Sequence, residues 1–190
     1  MAIATDTPQR ILDIAERLVQ TRGFNGFSYA DIAEAMHVTK ASLHYHFRGK
    51  ADLGKRLIER YEENFLAALA QIDEQSSDAR EKLRRYAALY GDVLQDNRMC
   101  LCGMLAAEFG TLPESMREVM RHYFDANERW LTEVLQQGKR EKTLKFPGSA
   151  VEAAQALIGS LEGAMMIARS YSDPKRFDMV SGRILAELKA

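Results

Sequence analysis

The 190-residue sequence contains only two cysteines, Cys100 and Cys102. Two are too few for the disulfide framework of a small secreted domain, so their scarcity favours a reducing compartment. The opening stretch MAIATDTPQR has no apolar run behind a basic cluster, the pattern of a secretory signal. No uncharged apolar stretch approaches the roughly 20 residues that span a bilayer. We therefore expect a cytoplasmic protein with no membrane partner.

Sequence motifs of common enzyme classes are also absent. The chain has no P-loop, nucleophile elbow or dinucleotide-binding glycine motif, and it lacks the paired Glu-x-x-His motifs of di-iron bundles. Glu118, His122 and Asp125 share one face of a predicted helix, but the apolar stripe of that helix lies on the opposite side. We interpret the three as an ion-paired surface, and we predict neither catalysis, nor a metal, nor a cofactor.

Positive charge is concentrated near the N-terminus, although the whole chain has a net charge of -1. Residues 1–60 have nine basic and seven acidic side chains, and within them residues 37–60 have six basic and two acidic. A basic patch on an otherwise acidic protein indicates a polyanionic partner.

Apolar residues recur at helical spacing along almost the whole chain, and no stretch alternates as a strand does. The pattern predicts an all-α protein of about nine helices. Their expected positions are about Pro8–Arg22, SYADIAEAM, TKASLHYHF, Lys50 to Asp73, a helix after the break at Ser76 and Ser77 to Asp96, RMCLCGMLAAEF, Pro113 to Gly138, Ser149 to Tyr171, and Asp173 to Leu188.

The second and third predicted helices are short and separated by a tight turn. Ser28 and Asp31 have the spacing of a capping box, and Thr39 caps the next helix. Two short helices joined in this way, with basic residues following, are typical of a helix-turn-helix. The small core that fixes their crossing angle is expected to comprise Ile32, Ala33, Met36, Val38, Leu43 and Phe47.

Three of the four histidines lie in HVTKASLHYHFRGK, residues 37–50. On a helix, His44 and His46 diverge by about 200°, so they cannot share a metal ion. No cysteine or carboxylate stands nearby at the spacing of a zinc site. They could be ordinary surface residues of a helix. Since Lys40, Tyr45, Arg48 and Lys50 surround them, we expect these histidines to face DNA and to contact phosphates.

The stretch FSYADIAEAMHVTKASLHYHFRGKADL resembles the DNA-binding signature of the TetR/AcrR family of bacterial repressors, and the resemblance extends over about residues 8–58. It implies a repressor that binds a palindromic operator as a homodimer and is released by a small molecule. It also implies base-reading positions at Lys40, Ala41, Ser42 and His44, and phosphate contacts at Ser28, Tyr29, Thr39, Tyr45, His46 and Lys50. The family often has tyrosine where this chain has His44, which leaves open whether His44 reads a base or a phosphate.

The resemblance divides the chain into a helix-turn-helix domain, residues 1–50, and a helical domain for ligand binding and dimerisation, residues 51–190. For the dimer interface, ALIGSLEGAMMIARS offers small residues beside large ones, which lets helices approach closely. The expected interface residues are Leu157, Gly159, Ser160, Leu161, Gly163, Ala164 and Met165. An ordinary buried helix is the alternative.

The inducer pocket is expected to be mostly apolar and to accept a small apolar or amphipathic molecule. Its candidate lining residues are Tyr86, Tyr90, Cys100, Met104, Phe109, Tyr123, Trp130 and Met166. The competing interpretation is that many of them are simply core.

Two other functions stay open at this point. CLCGMLAAE is similar to a segment of thiol-sensing family members, which implies Cys100 as an electrophile sensor if Arg98 or Arg169 stabilises its thiolate. Two inert buried thiols are the alternative. A helical small-molecule-binding protein without DNA activity is the other function.

Overall fold

The computed structural model describes residues 7–190. Within that range the chain forms nine α-helices and a single turn of 3-10 helix (Phe109–Thr111), and an isolated bridge between Leu144 and Lys189 is its only β-type pairing. The helices are α1 (Thr7–Arg22), α2 (Tyr29–Met36), α3 (Lys40–His46), α4 (Lys50–Gln75), α5 (Ala79–Gln95), α6 (Leu101–Ala107), α7 (Glu114–Arg140), α8 (Ala150–Ser170) and α9 (Pro174–Glu187). The predicted all-α fold is confirmed. None of the described helices is both long and apolar enough to cross a membrane.

The described residues fall into two compact units. The first unit comprises the residues up to Glu63 together with Leu101–Tyr123, and the second comprises Asn64–Cys100 together with Phe124–Ala190. Helices α4 and α7 therefore contribute residues to both units. The division at residue 50 concerns function rather than packing, and it stays a prediction.

In the first unit, α1 packs on α2 and α6, and α2 packs on α3. Ile11, Ala15 and Val19 recur every four residues along α1, and each is at most 1% exposed. Ile32 of α2 and Leu43 of α3 complete this core. Burial of this apolar stripe holds the two short helices, because helices of seven or eight residues are marginal by themselves.

In the second unit, α8 packs on α9, and α5 packs on both. Leu157, Leu161 and Met165 form the buried stripe of α8 and are at most 3% exposed. The sequence predicts these three residues in the dimer interface. The structure corrects that prediction, because at most 3% of each residue is exposed and each packs within the protomer.

Two local predictions were wrong. Val38 was expected in the helix-turn-helix core, but it lies in the turn between α2 and α3 and is 37% exposed. Cys100 was expected on a helix, but α6 begins one residue later. Asn97 has a φ of 56°, in the left-handed region, so the chain leaves α5 there and Cys100 lies in the connecting segment.

Candidate functional site

The start of α2 is fixed by its capping residues. The Ser28 hydroxyl accepts from the Ala30 N–H at 3.2 Å, and the Asp31 carboxylate accepts from the Ser28 N–H at 2.7 Å, which completes the predicted capping box. The Ser28 hydroxyl also donates to the Asp31 carboxylate at 2.8 Å, and this bond together with that from the Ser28 N–H lowers the pKa of Asp31. The helix ends at His37, whose φ of 57° turns the chain toward α3. His37 is therefore part of the turn rather than of the third helix.

Helix α3 displays most of the predicted DNA-binding side chains. Thr39 caps it by accepting from the Ser42 N–H at 3.3 Å, while Leu43 is buried beneath. The outward-facing residues expose hydroxyl, ammonium and imidazole groups, all of which can bind phosphates or base edges. Ser28, Thr39, Lys40, Ala41, His44 and Tyr45 are exposed, and Ser42 and His46 are half-buried.

The aromatic residues of this region have different environments. Tyr45 is 87% exposed, and the ring of His46 lies edge-on to it at 5.2 Å. Tyr29 is buried, its ring lies 4.7 Å from that of His44, and its hydroxyl donates to the Phe47 carbonyl at 3.2 Å. Burial, together with the charge of Asp52, raises the pKa of Tyr29 to about 12. We therefore reassign Tyr29 from a phosphate contact to a link between α2 and the end of α3.

Lys50, the first residue of α4, also has partners within the first unit. Its ammonium group donates to the carbonyl oxygens of Phe24 and Phe27 and lies 4.6 and 4.3 Å from the centroids of their rings. Burial lowers the pKa of Lys50, and the charges of Glu108 and Asp31 act in the opposite direction. Lys50 thus ties α4 to the segment between α1 and α2.

Glu108 was missed by the sequence analysis. Its carboxylate accepts from the N–H of Phe24 at 2.5 Å and from the N–H of Asn25 at 3.2 Å. Gly23 allows this approach, because a Cβ there would lie 2.8 Å from a Glu108 carboxylate oxygen and its φ is 82°. The sequence shows only that an acidic residue directly follows the apolar α6, and it does not show which backbone groups that residue binds.

Three polar side chains share one face of α7, as the sequence predicts. Glu118, His122 and Asp125 are all exposed, as expected for a solvated face. No group of three or more potential ligands among residues 7–190 has the arrangement of a metal site.

The second unit contains a buried polar cluster. The Tyr86 hydroxyl donates to the Asn127 side-chain carbonyl at 2.8 Å and lies 3.0 Å from the Tyr90 hydroxyl, and the Asn127 amide donates to Tyr90 at 3.3 Å. Burial raises the pKa of both phenols well above the usual value, so both stay neutral. The Trp130 ring stacks on Tyr86 at 5.6 Å, and its indole N–H donates to Asp73 at 2.8 Å.

Glu162 of α8 lies beside this cluster and was also missed. Neither of its carboxylate oxygens is exposed or has a partner with the geometry of a hydrogen bond among the described residues. Burial raises the pKa of this carboxyl to about 7, against an opposing effect of the nearby Cys100 thiol, a weak donor. The sequence held a signal, since Glu162 is the one charged residue between Glu152 and Arg169.

The cysteine sensor stays a prediction. Cys100 and Cys102 are buried, and neither forms a disulfide. The Cys100 N–H donates to the Met165 sulfur at 3.4 Å, and the carboxyl of Glu162 is one charged group near its thiol. A neighbouring carboxylate disfavours a thiolate. Arg98, a suggested cation, pairs with Asp96 at 2.6 Å.

The predicted pocket residues are divided between the two units. Tyr86, Tyr90, Cys100 and Trp130 belong to the second unit, whereas Met104, Phe109 and Tyr123 belong to the first. The pocket itself stays a prediction, and two of its candidate residues have exposed side chains. Phe109 is 38% exposed beneath the guanidinium groups of Arg117 and Arg121, and Met166 is 52% exposed.

Helices α8 and α9 expose a second notable surface. Ile167 of α8 is 59% exposed and Met179 of α9 is 67% exposed. Gly159 and Gly163 have open space where side chains would stand. An apolar depression of about 320 Å³ is lined in part by Ser160 of α8. Ser160 is exposed and Ala164 is half-buried.

Comparisons with known proteins agree with this arrangement. Residues 11–57 match the family model described as bacterial regulatory proteins, tetR family, and residues 79–182 match that of the tetracyclin repressor-like C-terminal domain. The HTH-type transcriptional repressor NemR of Escherichia coli is 27% identical over 173 residues, which cover 87% of each chain.

Two solved structures are similar over nearly the whole chain. A TetR-family regulator from Agrobacterium tumefaciens has a TM-score of 0.93 and 32% identity, covering 96% of this chain and 97% of that one. A TetR regulator from Legionella pneumophila has a TM-score of 0.88 and 34% identity, covering 100% of both. The family consists of transcriptional regulators rather than enzymes, which confirms the absence of catalysis expected from the sequence. The chain belongs to the TetR family of bacterial transcriptional regulators.

Proposed function

We propose that this regulator is a repressor that binds a palindromic operator as a homodimer and is released by a small molecule bound in its C-terminal domain. The observation that carries the proposal is the exposed face of α3, where Lys40, Ser42, His44 and Tyr45 stand together on a helix whose opposite side is buried. The name of the Escherichia coli relative, a repressor, supports the direction of regulation.

The division of labour on α3 follows from chemistry. The ammonium of Lys40 reaches guanine acceptors or phosphates, and Ser42 pairs with either class of base. Tyr45 and His46 supply donors to phosphate oxygens, which fix register without reading sequence. Thr39 and Ser28 flank this surface with hydroxyls whose oxygens already cap α3 and α2.

Dimerisation through α8 and α9 is supported by their exposed apolar side chains. Met166, Ile167 and Met179 would cost free energy if they stayed in water, and Gly159 and Gly163 leave grooves between them. This face revises the one expected from the sequence. Of the seven residues expected there, Gly159, Ser160, Gly163 and Ala164 remain in the proposed interface.

Release of DNA requires the ligand to favour a state in which the helix-turn-helix units of the two protomers are placed differently. Helix α4 is continuous from Lys50 to Gln75, so a ligand that tilts it would move the helix-turn-helix that precedes it. The two helix-turn-helix units of a dimer fit half-sites about one helical turn, roughly 34–36 Å, apart. By linkage, operator DNA then weakens ligand binding by the same factor.

Selection of binding sites from a random duplex pool by the full-length protein tests the proposal. We expect an enriched palindrome whose half-sites are about one helical turn apart. Lys40→Ala should reduce affinity for the enriched sequence, whereas Lys145→Ala, a change at an exposed lysine outside the helix-turn-helix, should not. Enrichment of no sequence, or of a single unrepeated half-site, would overturn the proposal.

A further inference from the structure

The carboxyl of Glu162 is buried in the second unit. Its oxygens are shielded from water, and no described donor forms a hydrogen bond of normal geometry with them. A buried carboxylate is stable only if it is paired, hydrogen-bonded or protonated. The neighbouring Tyr86, Tyr90 and Asn127 direct their hydrogen bonds at one another rather than at Glu162.

Aromatic rings accompany this carboxyl. Phe65 lies edge-on to Tyr86 at 6.2 Å and to Tyr90 at 6.5 Å, and Trp130 stacks on Tyr86. Burial raises the pKa of both tyrosines, and the charge of the neighbouring Glu162 acts in the same direction. Aromatic faces attract cations, because the ring quadrupole is negative over the face.

An unpaired carboxyl and a group of rings select for one ligand chemistry. A neutral molecule would leave the charge of Glu162 unpaired, and an anion would be repelled by it. A protonated amine supplies both N–H donors for the two oxygens and a positive charge for the rings. The rings of Phe65, Tyr86, Tyr90 and Trp130 favour a hydrocarbon body next to that amine.

We propose that the effector of this regulator is an apolar molecule carrying a protonated amine, which donates to Glu162 while the rings of Phe65, Tyr86 and Tyr90 contact its hydrocarbon part. This inference rests on the proposed function, in that the second unit is taken to bind the releasing ligand. It adds the chemical class of that ligand and the residue that selects it.

Proton release is a signature of this binding mode. Near neutral pH the carboxyl is partly protonated, because burial raises its pKa to about 7. An ammonium group binds the ionised form, so binding should expel a proton and strengthen as the pH rises from 6 to 8. The other titratable groups facing Glu162 are the phenols of Tyr86 and Tyr90, which stay neutral, and the Cys100 thiol.

Isothermal titration calorimetry of the full-length protein tests the proposal with three matched probes: 4-phenylbutylamine, 4-phenylbutanol and 4-phenylbutanoate. The amine should bind about tenfold or more tighter than the alcohol, since charged hydrogen bonds contribute that much. The carboxylate should bind most weakly. Titrations in buffers of different ionisation heat should show protons released by the amine alone.

Variants separate the role of Glu162 from general packing. Glu162→Gln and Glu162→Met should abolish the preference for the amine and the proton release, while thermal melting shows that both are folded. Glu133→Gln, at an exposed position of α7, should retain both. The proposal is overturned if the amine fails to bind at millimolar concentration, if the alcohol binds equally well, or if either Glu162 variant keeps the preference.

Operator binding by the same preparations without probe gives a separate readout. If it persists while the amine shows no preference, the effector class is wrong and the proposed repressor function stands. If operator binding itself is absent, the proposed function fails whatever the probes do.

Discussion

The carboxylate of Glu108 accepts a hydrogen bond from the backbone N–H of Phe24 at 2.5 Å. It joins the residue that follows α6 to the turn between α1 and α2, and the N–H and side chain of Asn25 donate to the same carboxylate. Lys50 binds the carbonyl oxygen of Phe24 from α4. The backbone that precedes the helix-turn-helix is therefore held by one anion and one cation.

Replacement of Glu108 with alanine should destabilise the protein. The N–H of Phe24 would lose a partly buried hydrogen bond to a charged group, which contributes roughly 1.5–3 kcal/mol. The bond from the N–H of Asn25 is exposed to water and adds little. We expect urea denaturation to show a loss in that range. Glu114→Ala, which removes exposed ion pairs with Arg117 and Arg121, should cost less than about 1 kcal/mol. Equal losses in the two variants would show that the Glu108 contacts are not specific.

Lys50→Met distinguishes an anchor from a phosphate contact. The variant removes the donor to Phe24 and Phe27, so we expect a lower free energy of unfolding. If Lys50 acts only as an anchor, the salt dependence of DNA affinity should keep its slope, because no phosphate contact is lost. A slope reduced by about 0.9 would instead assign Lys50 a phosphate, as the family resemblance implies.

The pH dependence of stability should report the carboxyl of Glu162. Its pKa is about 7 when folded and near 4.5 when unfolded, so the folded state binds more protons between these values. The free energy of unfolding should therefore fall as the pH rises from 4.5 through 7, by on the order of 2–3 kcal/mol.

Glu162→Gln should flatten this dependence and should be more stable than the unsubstituted protein at pH 8. Chemical denaturation at pH 5, 6, 7 and 8 measures both effects. Glu133→Gln is the control and should preserve the original slope. Parallel curves for Glu162→Gln and the unsubstituted protein would contradict the burial of an unpaired carboxyl.

Ile167→Asp should convert the protein into monomers. The new carboxylate would have to lose its hydration in the proposed α8 and α9 interface, at a cost of several kcal/mol. Sedimentation velocity at micromolar concentration measures the result. Leu66→Asp, at a similarly exposed leucine of α4 that is 40% accessible, should leave the dimer intact. Dimers in both variants would exclude this face.

Local signals made the helices predictable from sequence. Ser28 with Asp31 and Ser149 with Glu152 are capping boxes in the sequence, and both form in the structure. Such caps involve residues three apart, so no distant contact is needed to identify them. The exposed face of α3 was predictable for the same reason, because the apolar Leu43 determines which side of the helix is buried.

Packing partners were not predictable in this way. Helix α8 has apolar residues around most of its circumference, so its periodicity does not tell whether Leu161 faces the protomer or a partner. Glu108 binds a turn 84 residues away in sequence. Glu162 receives no hydrogen bond from its neighbours Tyr86 and Asn127 because these two residues bind each other. These properties arise from tertiary contacts alone.

The salt dependence of operator affinity, compared between the unsubstituted protein and Lys40→Ala, tests the central claim most directly. If the exposed face of α3 binds phosphates, operator affinity should fall steeply as the salt concentration rises. If Lys40 contacts a phosphate, Lys40→Ala should reduce the slope of log affinity against log salt concentration by up to about 0.9. If Lys40 reads only a base, affinity should drop by about 1–3 kcal/mol and discrimination at one base pair should relax. Affinity that is insensitive to salt and unchanged in Lys40→Ala would contradict the assignment of α3 as the DNA-reading helix.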